Sequence, residues 1–247
     1  MLNLGMRQLI IYLVVAICSF FVQSCNMDDI NCLRVDGPIE TQKRTLDNFT
    51  SVFFADVGNL HISQGNEQKV ILKAQKVILD KLKTKVSEGG ELILSLDECF
   101  NGDAYSLDIY ITVPEIEKIE MSGVGFVKTE TAITSDIFTL ILNGASEINE
   151  LNVNADSIST YLLGIGDLNY SGNSRVHTVL SSGTGNINAY DLSTDGTYIT
   201  SNGSGNIYVT AENNLDATLN STGNVYFKGH PKVVKSENGQ GKVVDDN

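Results

Sequence analysis

The sequence predicts an all-β protein: a right-handed parallel β-helix of ~20-residue coils with an antiparallel hairpin insertion and capping ends. Three observations carry that prediction. A glycine-centred beat recurs at Gly125, Ser146, Gly166, Gly185, Gly205 and Gly223, at steps of 21, 20, 19, 20 and 18 residues. Apolar residues fall in fixed columns around each beat. Polar residues alternate with them, the period-two pattern of a strand with one buried face.

The columns set the register. Two places after the beat stand Val127, Ile148, Leu168, Ile187, Ile207 and Val225. Six places before it stand Ile119, Leu140, Thr160, Val179, Ile199 and Ala217, and four before it Met121, Leu142, Leu162, Ser181, Ser201 and Leu219. A looser column holds Phe138, Ile158, Val176 and Leu215. Each unit reads as three short strands joined by tight corners. So short a unit cannot bury its inner face alone, and stacking at about 4.8 Å per coil turns each column into an interior ladder. Glycine suits the corners because it tolerates positive φ and leaves room inside. Asn186, Asn206 and Asn224 follow the beat, with Asp167 and Glu147 in the same place earlier. Amides so placed can hydrogen-bond along the stack. Ser146 and Glu147 depart from the beat, which predicts an irregular coil.

The flanks differ. Arg7 is the only charge before Asp28, and an apolar run over 9–22 ends in Val22-Gln23-Ser24-Cys25. Residues 1–24 resemble a bacterial lipoprotein signal, which implies lipidation of Cys25 and a membrane partner through that lipid. An ordinary signal peptide or short anchor is the alternative. Residues 25–46 lack a period and are expected to be a tether, leaving 47–247 as a single domain. An early coil lies at 52–62, with Gly58 as beat and Leu60 two places on. Residues 63–114 read as the antiparallel insertion, with strands near 69–74, 82–86, 92–96 and 107–113. Gly89-Gly90 marks a hairpin, and a short helical turn lies near 75–82. Residues 233–234 and 238–244 are expected to close the far end.

The full chain has 17 basic and 30 acidic residues, a net charge of −13. Losing Arg7 with the signal leaves 16 against 30, or −14. Such a chain repels phosphate backbones, so nucleic acid is not an expected partner. After export, Cys32 and Cys99 remain. They form a disulfide in an oxidising compartment or stay as two buried thiols.

Motifs for chemistry are weak. Gly203-Ser204-Gly205 looks like a phosphate loop in isolation, but the third glycine of that pattern is replaced by Tyr208 and no long helix follows. The calcium-binding nonapeptide roll needs a shorter period. His61, His177 and His230 lack metal-ligand spacing, so no metal and no cofactor are expected. No nucleophile elbow exists. Asp156, Asp167, Arg175 and Asp191 come nearest to a catalytic cluster and read as solvated corner charges. The chain is therefore not expected to be an enzyme. Tyr208 and Tyr226 share one outward column a coil apart, with Tyr190 near that face. They make either a sugar-binding platform or a surface ladder, the ladder being preferred.

The beats Gly185-Asn186-Ile187 and Gly205-Asn206-Ile207 carry a resemblance to a known family. So do Gly58-Asn59-Leu60, Gly166-Asp167-Leu168, Gly223-Asn224-Val225, and the ending Lys228-Gly229-His230-Pro231 followed by Gly239-Gln240-Gly241. Over residues 47–244 the chain resembles the auto-transporter adhesin, head GIN domain family of Bacteroidetes-type exported proteins. The resemblance implies a β-helical surface or periplasmic protein. With the signal it gives the functional expectation: a lipid-anchored outer-membrane protein without catalysis, binding a glycan or protein on a cell surface. Asp28-Asp29 after Cys25 resembles an acidic surface-export signal. A carbohydrate-active enzyme on the same scaffold and a structural or envelope-stress protein are the alternatives.

Overall fold

A computed structural model describes residues 32–101 and 106–247. Cys25, Asp28-Asp29 and the whole signal lie outside the described residues. The chain enters through β1 (Leu33–Arg34) and β2 (Ile39–Arg44), then lays down β3 (Ser51–Phe54) and β4 (Asn59–Gln64). Next come β5 (Lys69–Gln75), helix α1 (Lys76–Lys81), β6 (Lys83–Val86), β7 (Glu91–Ser95), β8 (Phe100–Asn101) and β9 (Leu107–Val113). From there the strands stack in chain order. They are β10 (Lys118–Met121), β11 (Val124–Thr129), β12 (Ile133–Leu142), β13 (Ala145–Leu162), β14 (Leu168–Ser181), β15 (Ile187–Ser201) and β16 (Ile207–Leu219). β17 (Val225–Lys228), β18 (Lys232–Glu237) and β19 (Val243–Asp245) finish the stack.

The predicted parallel register is observed in three of the four columns; in the looser one Ile158 pairs with His177 and not with Val176, which pairs with Ser157. Leu168 pairs with Ile187, Ile187 with Ile207, and Ile207 with Val225, all in parallel. These four side chains are fully buried in one continuous core. Val179, Ile199 and Ala217 make the second predicted ladder. The coil of Ser146 is irregular, with register shifts on both sides of it. Ser146 is itself buried, and its hydroxyl donates to the Gly123 carbonyl at 2.9 Å. Glycine at the corners answers mainly to crowding along the stack. A Cβ on Gly205 would overlap the carbonyl oxygen of Gly185 one coil before. Positive φ is needed at fewer corners, such as Gly166 at 137°.

Two expectations about the first end need correction. Residues 63–114 are not a purely antiparallel insertion. β7 pairs in parallel with β3 (Leu92 with Val52), and β9 in parallel with β4 (Ile109 with Leu60). The antiparallel pairs are β2–β5, β5–β9 and β6–β7. The outermost coil is thus built by residues later in the chain than the coil it covers. Period-two alternation reports which face is buried and says nothing about strand direction, so this arrangement is invisible in the pattern.

The tether is also shorter than expected. Cys32 and Cys99 are disulfide-bonded, with Cα atoms 4.7 Å apart, and β1 pairs with β8 beside them. β2 docks on β5, and Arg44 Nη2 donates to the Leu79 carbonyl at 2.7 Å. β2 is a polar edge strand, so it carries no apolar period.

The tail closes the far end as expected, by forming a last coil. β18 lies in parallel on β16 and β19 in parallel on β17. Two of its inward columns end in charge, because Ala217 pairs with Lys235 and Leu219 with Glu237, while Leu215 pairs with Val233 and Val225 with Val243. The Glu237 carboxylate accepts the Val243 N–H and the Lys235 and Lys242 ammoniums, each at 3.0 Å. The Val243 N–H, then the two lysines, hold its pKa down at about 2.

Candidate ligand-binding face

One outward face gathers the candidate residues. Register places Asn169, Asn188, Tyr208 and Tyr226 one above another on β14, β15, β16 and β17. Each directly follows a buried member of the inward column, so alternation turns it outward. Two places earlier, at the corner, Asp167, Asn186, Asn206 and Asn224 make a second column. The Asn186 N–H donates to Asp167 Oδ1 at 2.7 Å, and the Asn206 N–H to Asn186 Oδ1 at 2.9 Å. The Asn224 N–H donates to Asn206 Oδ1 at 3.0 Å, and the Lys242 N–H to Asn224 Oδ1 at 2.8 Å. Each corner side chain thereby satisfies the backbone N–H of the next coil, a group the strand ladder leaves unpaired.

The three predicted tyrosines do meet. Tyr208 and Tyr226 stack with centroids 5.0 Å apart and planes at 11°. Tyr190 meets Tyr208 edge-on at 5.4 Å. The Tyr190 hydroxyl donates to Asp246 Oδ2 at 2.6 Å, and the Lys228 ammonium stands 4.3 Å from its ring centroid. Burial first, and then the Asp246 carboxylate, raise the pKa of the Tyr190 phenol above its ordinary value. The rings therefore form a ladder, with Tyr208 and Tyr226 facing each other rather than solvent. Beside them lies a recess of about 370 Å³ lined by Asp167, Asn169, Asn186, Asn188, Tyr190 and Tyr208. Sequence reasoning placed the amides at corners and surfaces but did not join them to the tyrosines. The available signal was the shared position one residue after the inward apolar column.

Residues 48–231 match the family described as "Putative auto-transporter adhesin, head GIN domain". The chain belongs to this family. Solved structures share the fold. One is described as a putative adhesin from Bacteroides fragilis NCTC 9343. It is 23% identical with a TM-score of 0.81, and the alignment covers 86% of this chain and 99% of that one. A second, from Parabacteroides distasonis ATCC 8503, is described as a putative lipid binding protein. It is 18% identical with a TM-score of 0.62, covering 87% and 99%. A third, described as a putative adhesin from Parabacteroides merdae ATCC 43184, has the same identity and TM-score and also covers 87% and 99%. No curated protein matches the chain.

In this head GIN domain the other singled-out residues do not converge. Arg175 grips Asp156 with two hydrogen bonds of 2.7 and 2.8 Å. That pair lines a separate recess of about 470 Å³ with Asp195, away from Asp167. Among the described residues no group of three metal-ligating side chains exists. His61 stacks on Tyr110 at 4.3 Å and meets Glu130 at 2.9 Å. His230 is exposed. His177 is fully buried, with Nε2 3.0 Å from Thr160 Oγ1, which also contacts the Tyr170 hydroxyl at 3.0 Å. Its Nδ1 has no protein partner. Burial lowers its pKa to about 4.

Proposed function

We propose that this chain is a lipid-anchored binding module of the cell envelope, tethered through Cys25 and working as an adhesin without catalysis. The observation that supports it best is the outward face of amides and tyrosines on a rigid stack. A stack tied by repeated backbone pairing presents side chains at fixed spacing, which suits recognition. The acidic and basic side chains most like catalytic groups are instead paired with each other, as Arg175 is with Asp156. With Cys32 tied to Cys99, the chain from Cys25 to the disulfide can span roughly 25 Å at most. The folded head therefore sits close to the membrane that holds it.

The test has two parts. Replacing residues 1–25 with a cleavable export signal that leaves no cysteine at the new N-terminus should move the protein from the membrane to the soluble fraction. Protease added to intact cells should remove the head, and beads coated with the mature chain should adhere to cells. Complete protection from protease together with non-adherent beads overturns the adhesin reading.

A further inference from the structure

We propose that the recess beside Tyr190 and Tyr208 is a binding site for a neutral glycan. The proposal deepens the binding-module reading and rests on it. Its basis is which atoms the amide ladder leaves unused. Asp167 Oδ1 accepts both the backbone N–H and the side-chain Nδ2 of Asn186, at 2.7 and 3.1 Å. Among the described residues, Asp167 Oδ2 takes no protein partner. Asn188 Nδ2 donates to Asn169 Oδ1 at 3.2 Å, and Asn169 Nδ2 to the Ile148 carbonyl at 3.2 Å. That leaves Asn188 Oδ1 as a second unused acceptor. Each side-chain amide has two N–H donors, so Asn169, Asn186 and Asn188 each keep one. The Tyr208 hydroxyl only accepts, from Asn206 Nδ2 at 3.5 Å, and its own proton is free to donate.

The recess thus offers donors and acceptors interleaved within about 370 Å³, against the two tyrosine rings. Sugar hydroxyls donate and accept at once and match that mixture. The tyrosine edges supply apolar wall for the C–H faces of a ring. No lysine, arginine or histidine lines the recess, and Asp167 is its one charge. An anionic sugar, phosphate or sulfate would meet the Asp167 carboxylate, and the Lys228 ammonium at the Tyr190 ring is accompanied there by the Asp246 carboxylate. A structural ladder alone explains the bonds along the stack. It does not require the residues that carry the unused atoms to line one hollow.

The ladder also holds these groups in place before any ligand arrives. Little side-chain entropy is then lost on binding. Affinity for one site is expected to be weak, and many anchored copies on one membrane would raise it by avidity.

The test is titration of the mature chain with neutral linear oligosaccharides (gluco-, manno- and xylo-hexaoses), followed by amide shifts and calorimetry. Oligogalacturonate and spermidine serve as charged probes. At least one neutral hexaose should bind, with the anionic oligomer more than about tenfold weaker. Tyr208→Phe keeps the ring stack, and Asn188→Ala removes one donor and one acceptor. Each should weaken binding about tenfold, the cost of leaving a ligand hydroxyl unpaired. Asn173→Ala, on the other recess, should change nothing. The proposal is overturned if no neutral hexaose binds at about 10 mM, if both recess variants bind like the parent, or if a charged probe binds as well as any neutral one. Adhesion of coated beads to cells uses no added glycan, so it can succeed while this titration fails.

Discussion

The two halves of the stack hold themselves together differently. Up to β10 the side chains of the buried core are apolar, with Phe54, Leu60, Ile62, Leu92 and Leu94 fully buried. Every buried serine, threonine or histidine among the described residues lies at Thr129 or beyond, including Thr160, His177, Ser181, Thr197 and Ser201. The first half is irregular in order, crossed by hairpins and stapled by Cys32–Cys99. The second half repeats, with glycine corners packed on glycine corners and amides bonded coil to coil. Side-chain volume secures the first region, and backbone repetition secures the second. A repeating backbone tolerates polar groups inside, because its strand pairing does not depend on what fills each inward position.

The sharpest way to break the contrast is at a corner. Gly205→Val forces a side chain into the Gly185 carbonyl, and the stacked coils cannot separate locally. A loss of about 4 kcal/mol or more is expected, read from denaturant melts. Gly90→Val, where nothing lies within 4 Å, tests the other region and should cost far less, limited to its positive φ of 73°. Equal losses at the two sites would show that the second half is not held by its corners.

Next in size is the staple. Cys32→Ser with Cys99→Ser opens a crosslink spanning 67 residues, for which chain entropy predicts up to about 4 kcal/mol. Hydrogen exchange should rise in β5, β6 and β9 and stay unchanged in β15 and β16. Exchange rising evenly through both regions would remove the distinction.

The third effect is set by pH. Burial drops the folded pKa of His177 to about 4 from an ordinary 6.5. Above pH 6.5 the ring is neutral folded or unfolded and contributes no pH dependence. Between pH 6.5 and 4 the unfolded chain takes up the proton first, so stability falls as pH falls. The full span is about 3 kcal/mol, and it should vanish in His177→Leu. An unchanged acid profile in that variant would place the sensitivity elsewhere.

The coils were legible because every level agreed: apolar columns, polar alternation and glycine corners all repeat in one register. The early strands were legible as strands, since Leu92, Leu94, Ile109 and Ile111 alternate as clearly as any coil. Their place in the stack was not, because alternation fixes a buried face and leaves the neighbour open. β2 shows no pattern for a related reason, since a polar edge strand buries no apolar column. His177 occupies an inward position between Ile158 and Thr197. Knowing the register, that position could have been read, but a lone polar residue among apolar columns looks like a break in the pattern. The candidate face was half legible. Tyr208 and Tyr226 showed their column, whereas the amides of the recess looked like ordinary corner residues until their hydrogen bonds separated used atoms from unused ones.

A stack of near-identical coils has no intrinsic length, and its last coil is a template for one more. Here that template is spoiled. Lys235 and Glu237 stand where two inward columns would continue, and Glu237 is already committed to Val243, Lys235 and Lys242. A second molecule added end-on would have to strip water from those ions. The charge that looks misplaced at the tip works against end-on growth of a self-templating architecture.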